Sequence, residues 1–137
     1  MDTQDAQDAS GQHPDRPVPG KLPPPSRHAC SFLRRGVTVV EIRGTVDVST
    51  LAEVRTHTDA ASEAQGAHLI VDLRPVTFLD CATLGLLCRT RRRAGQRDGR
   101  LALVCVRPWH LRILHAAGLG KHFELFDTVQ EALDREH

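Results

Sequence analysis

The hydrophobic positions of residues 28–137 follow two different periods, and their alternation predicts a chain of strands and helices. Short apolar or β-branched runs indicate strands, and apolar residues spaced three and four apart indicate helices. The predicted strands are 29–33, 37–42, 68–73, 100–106 and 123–126. The predicted helices lie between Thr50 and Gly66, over 82–97, over 108–117 and from Thr128 to about Arg135.

The order of these elements, β-β-α-β-α-β-α-β-α, predicts an α/β domain. The turn residues at 34–36 join the first two strands as a hairpin. The runs at 68–73 and 100–106 are apolar almost throughout, which is typical of central strands buried on both faces. We therefore expect a mainly parallel sheet after the hairpin, with helices packed on it and loops over 44–47 and 74–80.

The predicted helix ends depend on local signals. Thr50 and Thr128 are each followed three residues later by a glutamate, the pattern of a capping box. Gly66 and Gly118 follow the first and third helices at positions where a left-handed residue closes a helix.

Residues 1–27 have a different composition from the rest of the chain. They hold six of the eight prolines and four aspartates, with almost no large apolar residue. Such a segment cannot bury enough surface to offset the entropy lost on ordering. We predict a disordered tail over 1–27 and one folded domain over 28–137.

Composition and charge narrow the possible functions. A formal net charge of +1 gives no overall attraction to nucleic acid or to an anionic membrane. No apolar run approaches the ~20 residues of a membrane span, and the first residues lack the apolar core of a signal peptide. The four cysteines form no C-x-x-C pair. These features favour reduced cysteines in a cytoplasmic protein.

Residue types that could carry chemistry are present, but not in catalytic patterns. Phosphate-binding glycine loops and G-x-S-x-G are missing from the sequence, and its eight histidines are dispersed, so we expect no enzyme, cofactor or metal site. Arginines crowd the second predicted helix without interleaved aromatics, which favours a solvated face or a contact with an acidic stretch of a partner protein. Trp109 is either an anchor of the third helix or an exposed partner contact.

Three segments in order resemble the STAS family of anti-sigma factor antagonists. Residues 44–50 (GTVDVST) resemble its G-x-L-D-x-x-T loop, and 71–80 (VDLRPVTFLD) its DLSxVxFxD strand and loop. Residues 101–133 resemble its C-terminal third. The resemblance covers about 30–135 and implies a STAS-like fold. It also implies binding to a GHKL-type anti-sigma factor, which is often also a serine kinase. Binding of this kind releases the sigma factor that the anti-sigma factor held.

The resemblance also implies a set of partner-binding residues on two loops at helix starts. These residues are Asp47, Ser49, Thr50, Asp80, Cys81, Ala82, Thr83 and Leu84. Both loops precede helices at the sheet edge where open α/β sheets bind their ligands. The same aspartates and hydroxyls could instead serve only as helix caps.

The family's phosphorylation switch is altered in this sequence. The kinase phosphorylates a serine in D-S-S-G, and the charge added to a close interface breaks the complex. Here Asp80 is followed by Cys81, then by Ala82 at the acceptor position, then by Thr83. Either phosphorylation does not switch the protein off, or Thr83 serves as a displaced acceptor, or Thr83 only bonds locally.

Two other functions remain compatible with the sequence. One is a STAS scaffold or subunit of a larger signalling or lipid-transport assembly, which the proline-rich tail would suit. The other is a nucleotide-binding or enzymatic module, which rests on the α/β fold alone.

Overall fold

The computed structural model describes residues 22–136 and contains the predicted elements in the predicted order, with two additional short strands. The strands are β1 (Ala29–Arg34), β2 (Val37–Ile42), β3 (Gly44–Thr45), β4 (His68–Asp72), β5 (Val76–Phe78), β6 (Arg100–Val104) and β7 (Glu124–Phe126). The helices are α1 (Leu51–Ala61), α2 (Cys81–Gln96), α3 (Pro108–Ala116) and α4 (Val129–Glu136). Most of the predicted tail, residues 1–21, lies outside the described residues.

The main sheet has five strands in the order β1-β2-β4-β6-β7. β1 and β2 form the predicted antiparallel hairpin, and every later pair is parallel. Side chains of β4 and β6 alternate between two apolar cores because successive residues of a strand point to opposite faces. Val71 and Leu103 lie in the core beneath α1, α2 and α3, whereas Ile70 and Val104 pack against α4. The α/β prediction is confirmed.

The prediction of loops over 44–47 and 74–80 is partly wrong, because each segment contains a short strand. β3 and β5 pair in parallel as a separate two-stranded sheet. The Gly44 amide donates to the Pro75 carbonyl across 3.0 Å. Strands of two and three residues are too short to show a hydrophobic period, so only tertiary pairing reveals them.

The first helix begins where the sequence predicts, but its capping box and its predicted end are wrong. Thr50 occupies the N-cap position, but its side chain makes no capping bond. The Glu53 carboxylate instead accepts from the backbone amide and from Nδ1 of His28, at 2.9 and 2.8 Å. Helix α1 ends at Ala61 rather than at Gly66. Gly66 has φ +71° and donates to the Arg97 carbonyl, so it shapes the approach to β4.

The other two helix signals are confirmed. Gly118, with φ +76°, donates to the His115 carbonyl, and the next amide, of Leu119, donates to the Leu114 carbonyl. This pair of bonds is the Schellman motif. At α4, the Glu131 amide donates to the Thr128 hydroxyl at 3.0 Å, as a helix cap requires.

We predict that Gly44→Ala destabilises the protein by about 1–2 kcal/mol and also displaces β5. Gly44 has φ +74°, which L-residues adopt only at that cost. Gly66→Ala is a matched control because Gly66 has a similar φ of +71° but does not pair with β5. Urea unfolding should show similar losses for both variants, while amide chemical shifts at 76–80 should change only for Gly44→Ala. Equal shifts in both variants would contradict the positioning role of Gly44.

Candidate functional site

Three connections lie together at the edge of the sheet where the parallel strands β4 and β6 end. They are residues 44–50, 74–83 and 105–110, and we call this region the carboxyl edge. The β3–β5 pairing holds the first two connections side by side, and the hydroxyls of Thr45 and Thr77 lie 3.1 Å apart. The two loops predicted to share a site are therefore neighbours.

Asp47 organises the first loop. Its Oδ1 accepts from the amide and hydroxyl of Ser49, at 2.9 and 2.6 Å, and from the Thr50 amide at 3.3 Å. The hydroxyl bond from Ser49, more than any other contact, holds the pKa of Asp47 below its usual value. A carboxylate fixed in this way pre-shapes an exposed turn ahead of α1.

Asp80 organises the second loop as the N-cap of α2. Its Oδ1 accepts from the amide of Thr83 at 2.9 Å and from the Thr83 hydroxyl at 3.0 Å. The cap satisfies an amide that has no partner within the helix. Thr83 is completely buried, so its hydroxyl serves this local bond.

Solvent exposure divides the eight residues predicted for partner binding. Asp47, Ser49 and Cys81 are exposed, and Thr50, Asp80 and Ala82 are half-buried. Thr83 and Leu84 are buried. Six of the eight therefore present surface at the carboxyl edge, and the other two support it from beneath.

Exposed apolar side chains surround these loops, and most of them escaped the sequence analysis. Val48 is 79% exposed, Phe78 52%, Val106 42% and Trp109 63%. Each lies in or beside one of the three connections of the carboxyl edge. An apolar residue inside a short polar connection, such as valine within Asp-Val-Ser-Thr, was the available signal. Large apolar residues gathered on one surface are typical of protein interaction sites.

At the same edge, an ion pair between the buried Asp72 and the exposed Arg74 fixes the end of β4. Asp72 is 2% exposed and accepts two bonds from the Arg74 guanidinium, at 2.9 and 2.8 Å. These bonds raise the pKa of Arg74. The Arg107 side chain donates to the Arg74 carbonyl at 3.3 Å and so links the second connection to the third.

His110 links α3 to β5. Its ring hydrogen-bonds the backbone carbonyl of Thr77, it is 2% exposed, and its Nδ1 has no partner among the described residues. Burial, and then the cation of Arg107, lower the pKa of His110 from its ordinary 6.5. The neutral imidazole holds the third connection against the second.

Across residues 22–136, no three His, Cys, Asp or Glu side chains are grouped so that they could hold a metal ion. Cys81 is exposed within the carboxyl edge. Cys105 is buried, and burial raises the pKa of its thiol. No helix in the described part of the chain is long and apolar enough to span a membrane.

Comparisons with known proteins agree with this fold. The sequence profile of the STAS domain family matches residues 33–132. An anti-sigma F factor antagonist of Paenibacillus polymyxa is 31% identical over 100 residues, covering 72% of this chain and 86% of that protein. An anti-sigma-F factor antagonist of Mycobacterium tuberculosis is 32% identical over 98 residues, covering 72% and 80%.

A solved structure extends the comparison to three dimensions. The crystal structure of an anti-sigma factor antagonist from Mycobacterium paratuberculosis has a TM-score of 0.71 to this chain at 27% identity. The match covers 86% of this chain and 96% of that one. The family resemblance predicted from the three sequence segments is confirmed.

We predict that the free energy of unfolding decreases as the pH falls below about 6.5. Burial lowers the pKa of His57 and of His110, so the unfolded chain takes up protons that the folded chain resists. Stability then rises with pH and is lost as the pH drops through the ordinary histidine value. Urea unfolding between pH 7.5 and 5 should show this slope.

His110→Gln should remove part of the slope, because glutamine can still donate to Thr77 but takes up no proton in this range. His115→Gln, on the exposed part of the same helix, is the matched control. An unchanged slope in His110→Gln would show that His110 does not contribute to the pH dependence.

Proposed function

This chain belongs to the STAS domain family, and from that membership we propose that it is an anti-sigma factor antagonist that binds an anti-sigma factor through the carboxyl edge. Occupation of the anti-sigma factor releases the sigma factor that it held. One observation carries the proposal: exposed apolar side chains surround two pre-shaped aspartate loops at one edge of the sheet. The names of two relatives above 30% identity support it.

The apolar side chains supply the binding energy in this proposal. Phe78 and Trp109 are large aromatics, more than half exposed, and they stand on connections held by hydrogen bonds. Aromatic residues in pre-organised positions dominate the energetics of many interfaces, because little entropy is lost when they are covered. Arg112 lies with its guanidinium 5.6 Å from the Trp109 ring centre, which further restrains that side chain.

The polar groups supply specificity. Asp47 and Asp80 already accept several bonds within the chain, so their carboxylates are oriented before a partner arrives. A charge that is held in place contributes more to the rate and orientation of partner association than to affinity. We propose Asp47, Ser49, Thr50, Asp80, Cys81 and Ala82 as direct contacts, with Thr83 and Leu84 as their support.

The proposed partner is a GHKL-type anti-sigma kinase, as the family resemblance implies. Ala82, at the position of the family's phosphorylated serine, is half-buried and has no hydroxyl. Thr83 is an unsuitable replacement in this conformation, because its buried hydroxyl bonds to Asp80. A kinase could reach it only by opening the first turn of α2. We therefore propose binding that phosphorylation at this position does not switch off.

We predict that Phe78→Ala and Trp109→Ala each weaken binding to the cognate anti-sigma factor by about tenfold or more, as expected for exposed aromatic anchors. Leu33→Ala is the matched control, since Leu33 is 48% exposed on β1, outside the carboxyl edge. Calorimetry with the GHKL-type kinases encoded in the same genome measures the affinity of the natural chain and of the three variants. Equal losses in all three variants, or no kinase bound at micromolar concentration, would contradict the proposal.

We also predict that incubation with the cognate kinase and ATP transfers no phosphate to this chain, whereas Ala82→Ser becomes phosphorylated. The substitution supplies the missing hydroxyl at the start of α2, where free amides and the helix dipole stabilise a phosphoryl group. Mass spectrometry locates any modification. The variant Thr83→Ala, with Ala82 unchanged, tests whether Thr83 is a displaced acceptor. If the natural chain is phosphorylated and this variant is not, Thr83 is the acceptor.

A further inference from the structure

A cleft of about 570 Å³ lies away from the carboxyl edge, between the C-terminal half of α2 and the segment that joins α3 to β7. It opens near the residues where β6 begins, at the opposite edge of the sheet. Its apolar lining comes from Cys88, Leu101, Leu119 and Phe123. A volume of this size is within the range of small-molecule sites.

The charged groups around this cleft are mostly cationic. Three arginines line it, against a single carboxylate, that of Glu124. Arg100 already donates two bonds to that carboxylate, at 2.9 and 3.1 Å. Arg91 lies over the Phe123 ring, 5.9 Å from its centre. Within residues 22–136, no hydrogen bond or ion pair is found for the guanidinium of Arg92.

A glycine inside a helix keeps one wall of the cleft open. Gly95 belongs to α2 and lines the cleft, and a Cβ added there would meet no atom within 4 Å. The absence of a side chain at Gly95 leaves this wall of the cleft open to a ligand.

We propose that this cleft binds a small amphipathic carboxylic acid, with its aliphatic body on the apolar floor and its carboxylate at Arg92 and Arg91. The head group is assigned by charge, because the cleft offers guanidinium donors whose geometry matches a carboxylate. The body is assigned by the apolar side chains that share the cleft with the arginines. This inference is independent of the proposed binding at the carboxyl edge.

To test this, the purified full chain is titrated with hexanoate, octanoate and decanoate below their micelle-forming concentrations. Binding is monitored by the amide chemical shifts of the protein. We expect shifts at Cys88–Gly95 and Leu119–Glu124, and affinity that rises up to about fourfold for each added methylene until the floor is covered. Decyltrimethylammonium has the same chain length and the opposite charge, and it should not bind. Random shifts over the surface, or equal binding of the cation, would overturn the proposal.

Variants locate the site. Arg92→Gln should weaken decanoate binding by about tenfold, as expected when a charge-assisted hydrogen bond is lost. Arg27→Gln, which removes an exposed arginine outside the cleft, should leave it unchanged. Gly95→Leu should fold, because leucine favours helix and the position is open, but should block the cleft. Gly85→Leu, in the same helix but outside the cleft, is its control.

An anionic membrane also presents negative head groups next to alkyl chains, so a separate experiment distinguishes it from a free acid. Vesicles of phosphatidylglycerol are sedimented with the chain, with phosphatidylcholine vesicles for comparison. Binding of free decanoate without sedimentation supports the proposal. Sedimentation with phosphatidylglycerol and no binding of free decanoate would overturn it in favour of a lipid surface. Decanoate binding that survives both Arg92→Gln and Gly95→Leu would also overturn it, since the acid would then lie elsewhere.

Discussion

The structure depends on the burial of β4 and β6 on both faces. Leu69, Val71 and Leu103 lie in one core and Ile70 and Val104 in the other, and none is more than 2% exposed. A strand buried on both faces requires helices on both faces. The crossover helices α1, α2 and α3 cover one face, and the C-terminal helix α4 covers the other. The covering helices leave the strand ends as the places where polar loops can meet solvent.

The two ends of the sheet carry different surfaces as a result. At the carboxyl edge, short turns hold apolar side chains in water and orient two carboxylates, the combination that suits a protein partner. At the other edge, the arginines of α2 stand beside a cleft with an apolar floor. Not all of these arginines face that cleft: Arg89 and Arg93 pair with Asp59 on α1. One helix therefore contributes a cap to the first surface and cations to the second.

Local polar bonds explain why the carboxyl edge can keep its shape without a partner. The buried Asp72 closes β4 through its bonds with the exposed Arg74, and the His110 ring ties α3 to Thr77. Buried polar groups are costly when unpaired, so these contacts are strongly specified once the sheet has formed. Ala82 is not needed for this framework, because Asp80 caps α2 through Thr83.

The sequence by itself determined the element order, the parallel sheet and the family. Apolar runs such as 68–73 reveal burial directly, and Gly118 and Thr128 mark helix ends through bonds between near neighbours. It also located the aspartates at the two helix starts, because their motifs are local. The solvent exposure of individual apolar side chains could not be predicted from the sequence. Residues such as Phe78 and Val48 resemble core residues until the packing is known.

Tertiary structure alone decided the rest. The β3–β5 pairing joins segments about thirty residues apart through a few backbone bonds that leave no periodic trace. Glu53 fits a capping box in sequence, yet its carboxylate accepts hydrogen bonds from His28. The fold brings this residue close from a distant segment of the chain. The cleft at α2 likewise forms only when distant residues such as Cys88 and Phe123 meet. Local bonding patterns are written in the sequence, whereas contacts between distant segments exist only after the sheet has folded.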